Sequence, residues 1–150
     1  MAIDLKLEKV IPTSNQIDIL YEQLKSRKYT ISHEALPSYE IHKKFVMNNP
    51  YRVWFLVKIK DVIIGNIYIQ YNNSVGLNGL DNIKTSQLAE ILETLFNKIS
   101  PLTPVPSIRY KDFFFNISIN NKNLIDKLSD IGYKKIQLTL IRLNKNNQIS

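Results

Sequence analysis

Polar and apolar residues take turns at the start of the chain, from Leu5 and Leu7 set between Lys6 and Glu8, and this period of two predicts a strand over Leu5–Ile11. Pro12 closes it. Thr13-Ser-Asn-Gln16 then has the spacing of a capping box, in which Thr13 caps a helix start and Gln16 reaches back. Ile17, Leu20, Tyr21 and Leu24 recur at the helical period and predict a helix to about Arg27, with Lys25 to Lys28 at the negative end of its dipole. A short second helix is predicted from Ser38, after Pro37, with Ile41 and Phe45 on its apolar face and Asn48-Asn49-Pro50 as its stop. Val53–Ile59 is almost wholly apolar and β-branched, as befits a strand buried on both faces. Lys60-Asp61 turns the chain into a second strand, Val62–Tyr71, where the absent side chain of Gly65 marks a close approach by another element.

A shorter strand, Ser74–Asn78, leads through Gly79 and Asp81-Asn82 to a third helix. Its residues Leu88, Ile91, Leu92, Leu95, Phe96 and Ile99 form the strongest helical stripe in the chain. Pro101, Pro104 and Pro106 make residues 100–110 an extended connector. Phe113–Ile119 is predicted as a strand, and Asn121 as the cap of a fourth helix that carries Leu124, Ile125, Leu128 and Ile131 and ends at Gly132. Lys135–Leu143 alternates again and is predicted to close the sheet, leaving Asn144–Ser150 as a frayed tail. The pattern predicts one α/β (α+β) domain over residues 1–143.

Composition narrows the class. A length of 150 residues suits one hydrophobic core, and no apolar run approaches the roughly eighteen residues of a membrane span. The alternation of the first ten residues is unlike a secretory signal. The chain has no cysteine, which excludes disulfides, thiolate catalysis and Cys-based metal sites and fits a cytoplasmic location. A net charge of +7 would suit an anionic partner, but the basic residues are scattered in ones and twos, with no basic stripe and no interleaved aromatics, which argues against nucleic acid.

Local sequences add a resemblance. Pro37-Ser-Tyr-Glu-Ile-His-Lys-Lys-Phe45, Ile63-Ile-Gly65, Asn73-Ser-Val-Gly-Leu77 and the step from Asn121 to Gly132-Tyr133 resemble stretches of the GNAT acyltransferase superfamily, as does the order of elements over residues 4–143. The resemblance implies a mixed, mostly antiparallel central sheet with about four helices on both faces. It implies acyl transfer from acetyl-CoA to a small-molecule amine, with an amino sugar or nucleotide sugar as the acceptor, without a metal. The pantetheine arm would lie in a gap between the fourth and fifth strands, against Leu77, Asn78, Asn116 and Asn121. The pyrophosphate would rest on the start of the third helix at Lys84, Thr85 and Ser86, where unpaired N–H groups hold anions. The architecture is also compatible with a homodimer through open sheet edges.

Three positions depart from the family. Asn82-Ile-Lys-Thr-Ser-Gln87 carries neither glycine of the phosphate-binding turn, so β-carbons stand where the backbone would approach the phosphates. Leu128 stands where a tyrosine often protonates the leaving thiolate, and Ser74 replaces an acidic residue. These departures support a second reading, a GNAT-like domain without CoA chemistry that serves as a binding or structural module. Arg27, His33 and Tyr68 are the candidate substrate residues: His33 from a polar loop, Tyr68 from a central strand. His42 reads better as a structural residue tying its helix to a neighbour by a ring hydrogen bond, Trp54 as a core anchor and Asn121 as a cap. No residue is singled out as the catalytic base.

Overall fold

A computed structural model describes residues 3–27 and 35–144. In chain order the elements are β1 (Leu5–Lys9), α1 (Ser14–Lys25), α2 (Tyr39–Met47), β2 (Val53–Ile59), β3 (Val62–Ile69), β4 (Ser74–Asn78), α3 (Thr85–Lys98), β5 (Phe114–Phe115) and α4 (Lys122–Ile131). The five strands lie side by side in sequence order. β1 to β4 run antiparallel to one another, and β5 joins β4 in parallel. Among the described residues this is the mixed, mostly antiparallel sheet with four helices that the resemblance implies.

Side-chain alternation along β2 divides the core in two. Trp54 and Leu56 face a cluster with Val10, Ile17, Leu20 and Val46, which brings α1 and α2 onto one face of the sheet. Phe55 and Val57 face the other way, toward Ile67, Ile69, Val75 and the stripes of α3 and α4, among them Leu88, Ile91, Leu92, Leu95, Leu124 and Leu128. The stripe predicted for α3 is buried at Leu88, Ile91, Leu92 and Leu95.

Two devices in the strands fix the site's floor. Gly65 lies beside a bulge where the β2–β3 register shifts at Val57/Lys58, and a β-carbon on it would sit 2.2 Å from the Asn78 carbonyl oxygen. The approaching element foreseen at Gly65 is therefore the end of β4. Asn73, buried and in the left-handed region at φ 70°, donates from Nδ2 to the Leu102 and Tyr110 carbonyls at 3.0 and 2.8 Å and accepts from the Leu102 N–H at 2.8 Å. Its own carbonyl accepts from Phe114. Together these bonds moor the proline-rich connector and deliver β5 to β4.

The structure corrects several expectations. Ile41 is 62% exposed and Phe45 is exposed too, while His42 and Val46 are buried. Both pairs have helical spacing, and the ring bond of His42 to the Ile17 carbonyl, 3.0 Å, turns the 42/46 side inward. Gln16 does not complete the capping box. Thr13 accepts from its N–H, but its Oε1 accepts from Ile11 N–H at 2.6 Å, binding the exit of β1 to α1. The strand expected at Phe113–Ile119 is cut to Phe114–Phe115, and β1 and β3 end at Lys9 and Ile69.

The closing strand at Lys135–Leu143 is not formed. Tyr133 packs edge-on to Phe115, and Tyr110 donates its hydroxyl to Gln137, so the segment returns antiparallel beside residues 110–115. Farther along it would have to pair with Pro104, Pro106 and the tight turn at Val105–Arg109, where Ser107 has φ 63°. Prolines offer no N–H to a ladder. Leu138, Leu140 and Ile141 are consequently left in solvent, Leu140 at 84% exposure. Residues 145–150 of the expected tail lie outside the described residues.

The loop joining β2 to β3 generates a stability prediction. Lys60 and Asp61 both have positive φ, 52° and 63°, in a two-residue connection between the paired Ile59 and Val62. Such turns favour glycine at the second position. Asp61→Gly should stabilise the fold by about 0.5–1 kcal/mol, read as a higher urea midpoint at unchanged slope.

Candidate functional site

A cavity of about 360 Å³ opens on the α1/α2 face of the sheet. Its floor is set by register. Trp54, Tyr68 and Gly76 are cross-strand neighbours on β2, β3 and β4, and Leu56, Asn66 and Asn78 form the next row. Leu20, Gln23, Leu24 and Arg27 close one wall from α1 and the turn after it, and His42 and Phe45 close another from α2. Tyr51, just before β2, and Asp81 and Asn82, just after β4, complete the rim.

A polar network holds the floor to α1. Asn66 is 4% exposed in the middle of an otherwise apolar strand. Its Oδ1 accepts from Trp54 Nε1 at 3.0 Å and from Asn78 Nδ2 at 3.1 Å, and its Nδ2 donates to Gln23 Oε1 at 2.6 Å. One buried amide thus fixes the indole, the end of β4 and a turn of α1 in a common geometry. The Tyr51 and Tyr68 rings stack beside it, 4.0 Å between centroids and 8° from parallel. Burial pushes both phenols up from their ordinary pKa, so both keep their protons at neutral pH.

At the other end of β4 the sheet parts. β4 and β5 are matched only at Ser74/Phe114 and Val75/Phe115; Gly76, Leu77 and Asn78 stay paired with β3 but have no match on the β5 side among the described residues, and Asn116 is exposed. α3 begins beyond this opening. Lys84 is its N-cap and donates its N–H to Gln87 Oε1, and the first N–H bonded within the helix is that of Leu88. The N–H groups of Thr85, Ser86 and Gln87 find no acceptor among the described residues. The loop before α3 is tied to α4, because Asn121 donates to Asp81 Oδ1 at 2.6 Å and Lys127 donates to the Asp81 carbonyl.

The sequence-derived candidates therefore fall into three places. Arg27, Tyr68 and Asn78 share the cavity. Leu77 lies on the stretch of β4 beyond its last match with β5, its side chain turned into the α3/α4 core, while Lys84, Thr85 and Ser86 form the start of α3 and Asn116 follows β5. Asn121 caps α4 through the Leu124 N–H and braces Asp81. His33 lies outside the described residues. His42 lines the cavity, but its Nε2 donates to Ile17. Residues that the sequence reading passed over are Gln23, Tyr51, Asn66 and Asp81. Asn66 carried a usable signal as a lone amide in Val62–Ile69, since a buried polar residue in an apolar strand demands a partner.

No family model matches the sequence, and no curated protein does. Solved structures do. A domain from Methanocaldococcus jannaschii DSM 2661 matches with a TM-score of 0.63 at 18% identity, over 91% of this chain and 92% of that one. Aminoglycoside acetyltransferase AAC(6')-Ib, in complex with coenzyme A, matches with a TM-score of 0.59 at 15% identity, over 90% and 86%. RimL, a ribosomal alpha-N-protein acetyltransferase in complex with coenzyme A, matches with a TM-score of 0.58 at 10% identity, over 87% and 80%. The chain thus has the fold of the GNAT acetyltransferase superfamily.

Asn66→Ala would strand the Trp54 N–H and the Asn78 and Gln23 amides. It should cost about 2–3 kcal/mol of unfolding free energy, measured in urea, and should speed amide exchange in α1 more than in α3.

Proposed function

We propose that the protein is an N-acyltransferase that moves an acyl group from acyl-CoA to an amine held in the cavity. One observation carries this reading: β4 runs three residues past its last match with β5 and ends beside a helix start with free N–H groups. An unpaired strand edge is a template for an amide-bearing chain, and a helix start attracts phosphate. The residues present fit both parts of coenzyme A. Gly76, Leu77 and Asn78 would take the pantetheine amides, and Thr85, Ser86 and the Lys84 ammonium would take the pyrophosphate. The thioester, when bound, supplies the activated acyl group.

The chain's own residues supply position and charge. The Asn66 network holds the floor rigid, α1 and α2 screen it from water, and the Tyr51–Tyr68 pair offers a flat face with hydroxyls at its edge. Amides at Gln23, Asn78 and Asn82 suit a hydroxyl-rich ring, and Arg27 at the rim suits a phosphate. These features support an amino sugar carried on a nucleotide as the acceptor. Spermidine and sisomicin, which figure in the names of other structures with this fold, make useful comparison substrates.

The alternative of a binding module draws on Leu128 and Ser74, both buried where the family's chemistry would place polar groups. Calorimetric titration with acetyl-CoA decides between the readings. Saturable micromolar binding is expected, weakened about tenfold, or about 1.4 kcal/mol, by Lys84→Glu and weakened further by salt. No heat at near-millimolar acetyl-CoA would leave only the module.

A further inference from the structure

We propose that Tyr68 is the acid that protonates the sulfur as the acyl group leaves it, filling the role left vacant by the buried Leu128. This rests on the acyltransferase reading and assigns one of its residues. The geometry comes from Gly76. Tyr68 on β3 and Gly76 on β4 are cross-strand partners, and a β-carbon on Gly76 would lie 2.0 Å from Tyr68 Cζ and 2.3 and 2.5 Å from its two Cε atoms. The tip of the phenol thus lies directly over the Gly76 backbone, a position that any other residue at 76 would deny it. Gly76 is also the first residue of β4 beyond the last match with β5, Val75/Phe115. The tip of Tyr68 accordingly lies over the edge of β4 that has no β5 match, on the side of the cavity.

Its surroundings suit an acid that must both give and regain a proton. Tyr51 stacks on the ring at 4.0 Å and meets Trp54 edge-on at 5.0 Å, which fixes the phenol's direction. Burial keeps the Tyr68 hydroxyl protonated at rest, while the Tyr51 hydroxyl and the Arg27 charge work the opposite way and ease the phenolate once the proton has left. In the step, the amine nitrogen forms its bond to the acyl carbon and the carbon–sulfur bond breaks with its electron pair on sulfur. The Tyr68 proton passes to that sulfur, and the proton shed by the nitrogen returns to the Tyr68 oxygen. Nothing is oxidised or reduced.

Tyr68→Phe keeps the ring, the stack and the clearance over Gly76. It should lower the turnover of acetyl-CoA, followed as free thiol with an amine or with water as acceptor, by about 100-fold, while the KM for acetyl-CoA stays within about twofold. With the acetyl thioester of 5-thio-2-nitrobenzoate, whose thiolate leaves without a proton, the two proteins should turn over alike. Free of turnover, the thiol of bound coenzyme A, titrated by its thiolate absorbance, should show a higher pKa in Tyr68→Phe than in wild type. Gly76→Ala, checked for folding by circular dichroism, should reproduce these changes by displacing the ring. Wild-type turnover and an unshifted thiol in Tyr68→Phe would reduce Tyr68 to a wall of the cavity. Failure of wild type to bind acetyl-CoA would remove the acyltransferase reading, and this assignment with it.

Discussion

The buried side chain of Asn73 is the constraint on which the site depends. Its amide takes up three main-chain groups of the connector, and its carbonyl receives the first N–H of β5. A connector with three prolines has its own main-chain bonds only in the Val105–Arg109 turn, so the groups on either side of that turn, at Leu102 and Tyr110, are taken up by Asn73. Because Asn73 lies one residue before β4, these bonds anchor β5 at the start of β4 and nowhere farther along. The two strands touch at one end and part at the other. An opening made this way needs no loop to prop it apart, since it follows from where the anchor sits.

A second anchor, Asn66, organises the opposite face. It lies one register row from the Tyr68–Gly76 pair, so the cavity floor, the stacked tyrosines and the mouth of the opening share one stretch of three strands. Rigid strands carry the chemistry-bearing groups, and the helices supply walls.

Much of this was legible in the sequence because periodicity reports burial. Val53–Ile59 and Ser74–Asn78 were bounded correctly, and the Leu88–Leu95 stripe named the face of α3. Failures arose where two patterns competed or where a partner was needed. The 41/45 and 42/46 pairs of α2 are equivalent by spacing, and only a tertiary bond from His42 chose between them. Lys135–Leu143 has a strand's alternation, but a strand exists only beside an edge able to pair, and the prolines at 104 and 106 remove it. Of the candidates for a site, Arg27 from a loop, Tyr68 from a strand and Asn78 from the resemblance line one cavity, while Gln23, Tyr51 and Asp81 join them only through packing.

The two faces of the sheet differ in what holds them. α3 and α4 rest on the larger, continuous apolar cluster, whereas α1 and α2 rest on a smaller one supplemented by the Gln23–Asn66 bond and the His42–Ile17 bond. Local opening follows the weaker attachment, so the helical layer over the cavity is the one that lifts at lower free energy while the α3/α4 layer stays closed. The unequal cohesion of the molecule therefore puts its looser layer over the cavity: the walls from α1 and α2 can breathe while the three-stranded floor and the α3/α4 side stay closed.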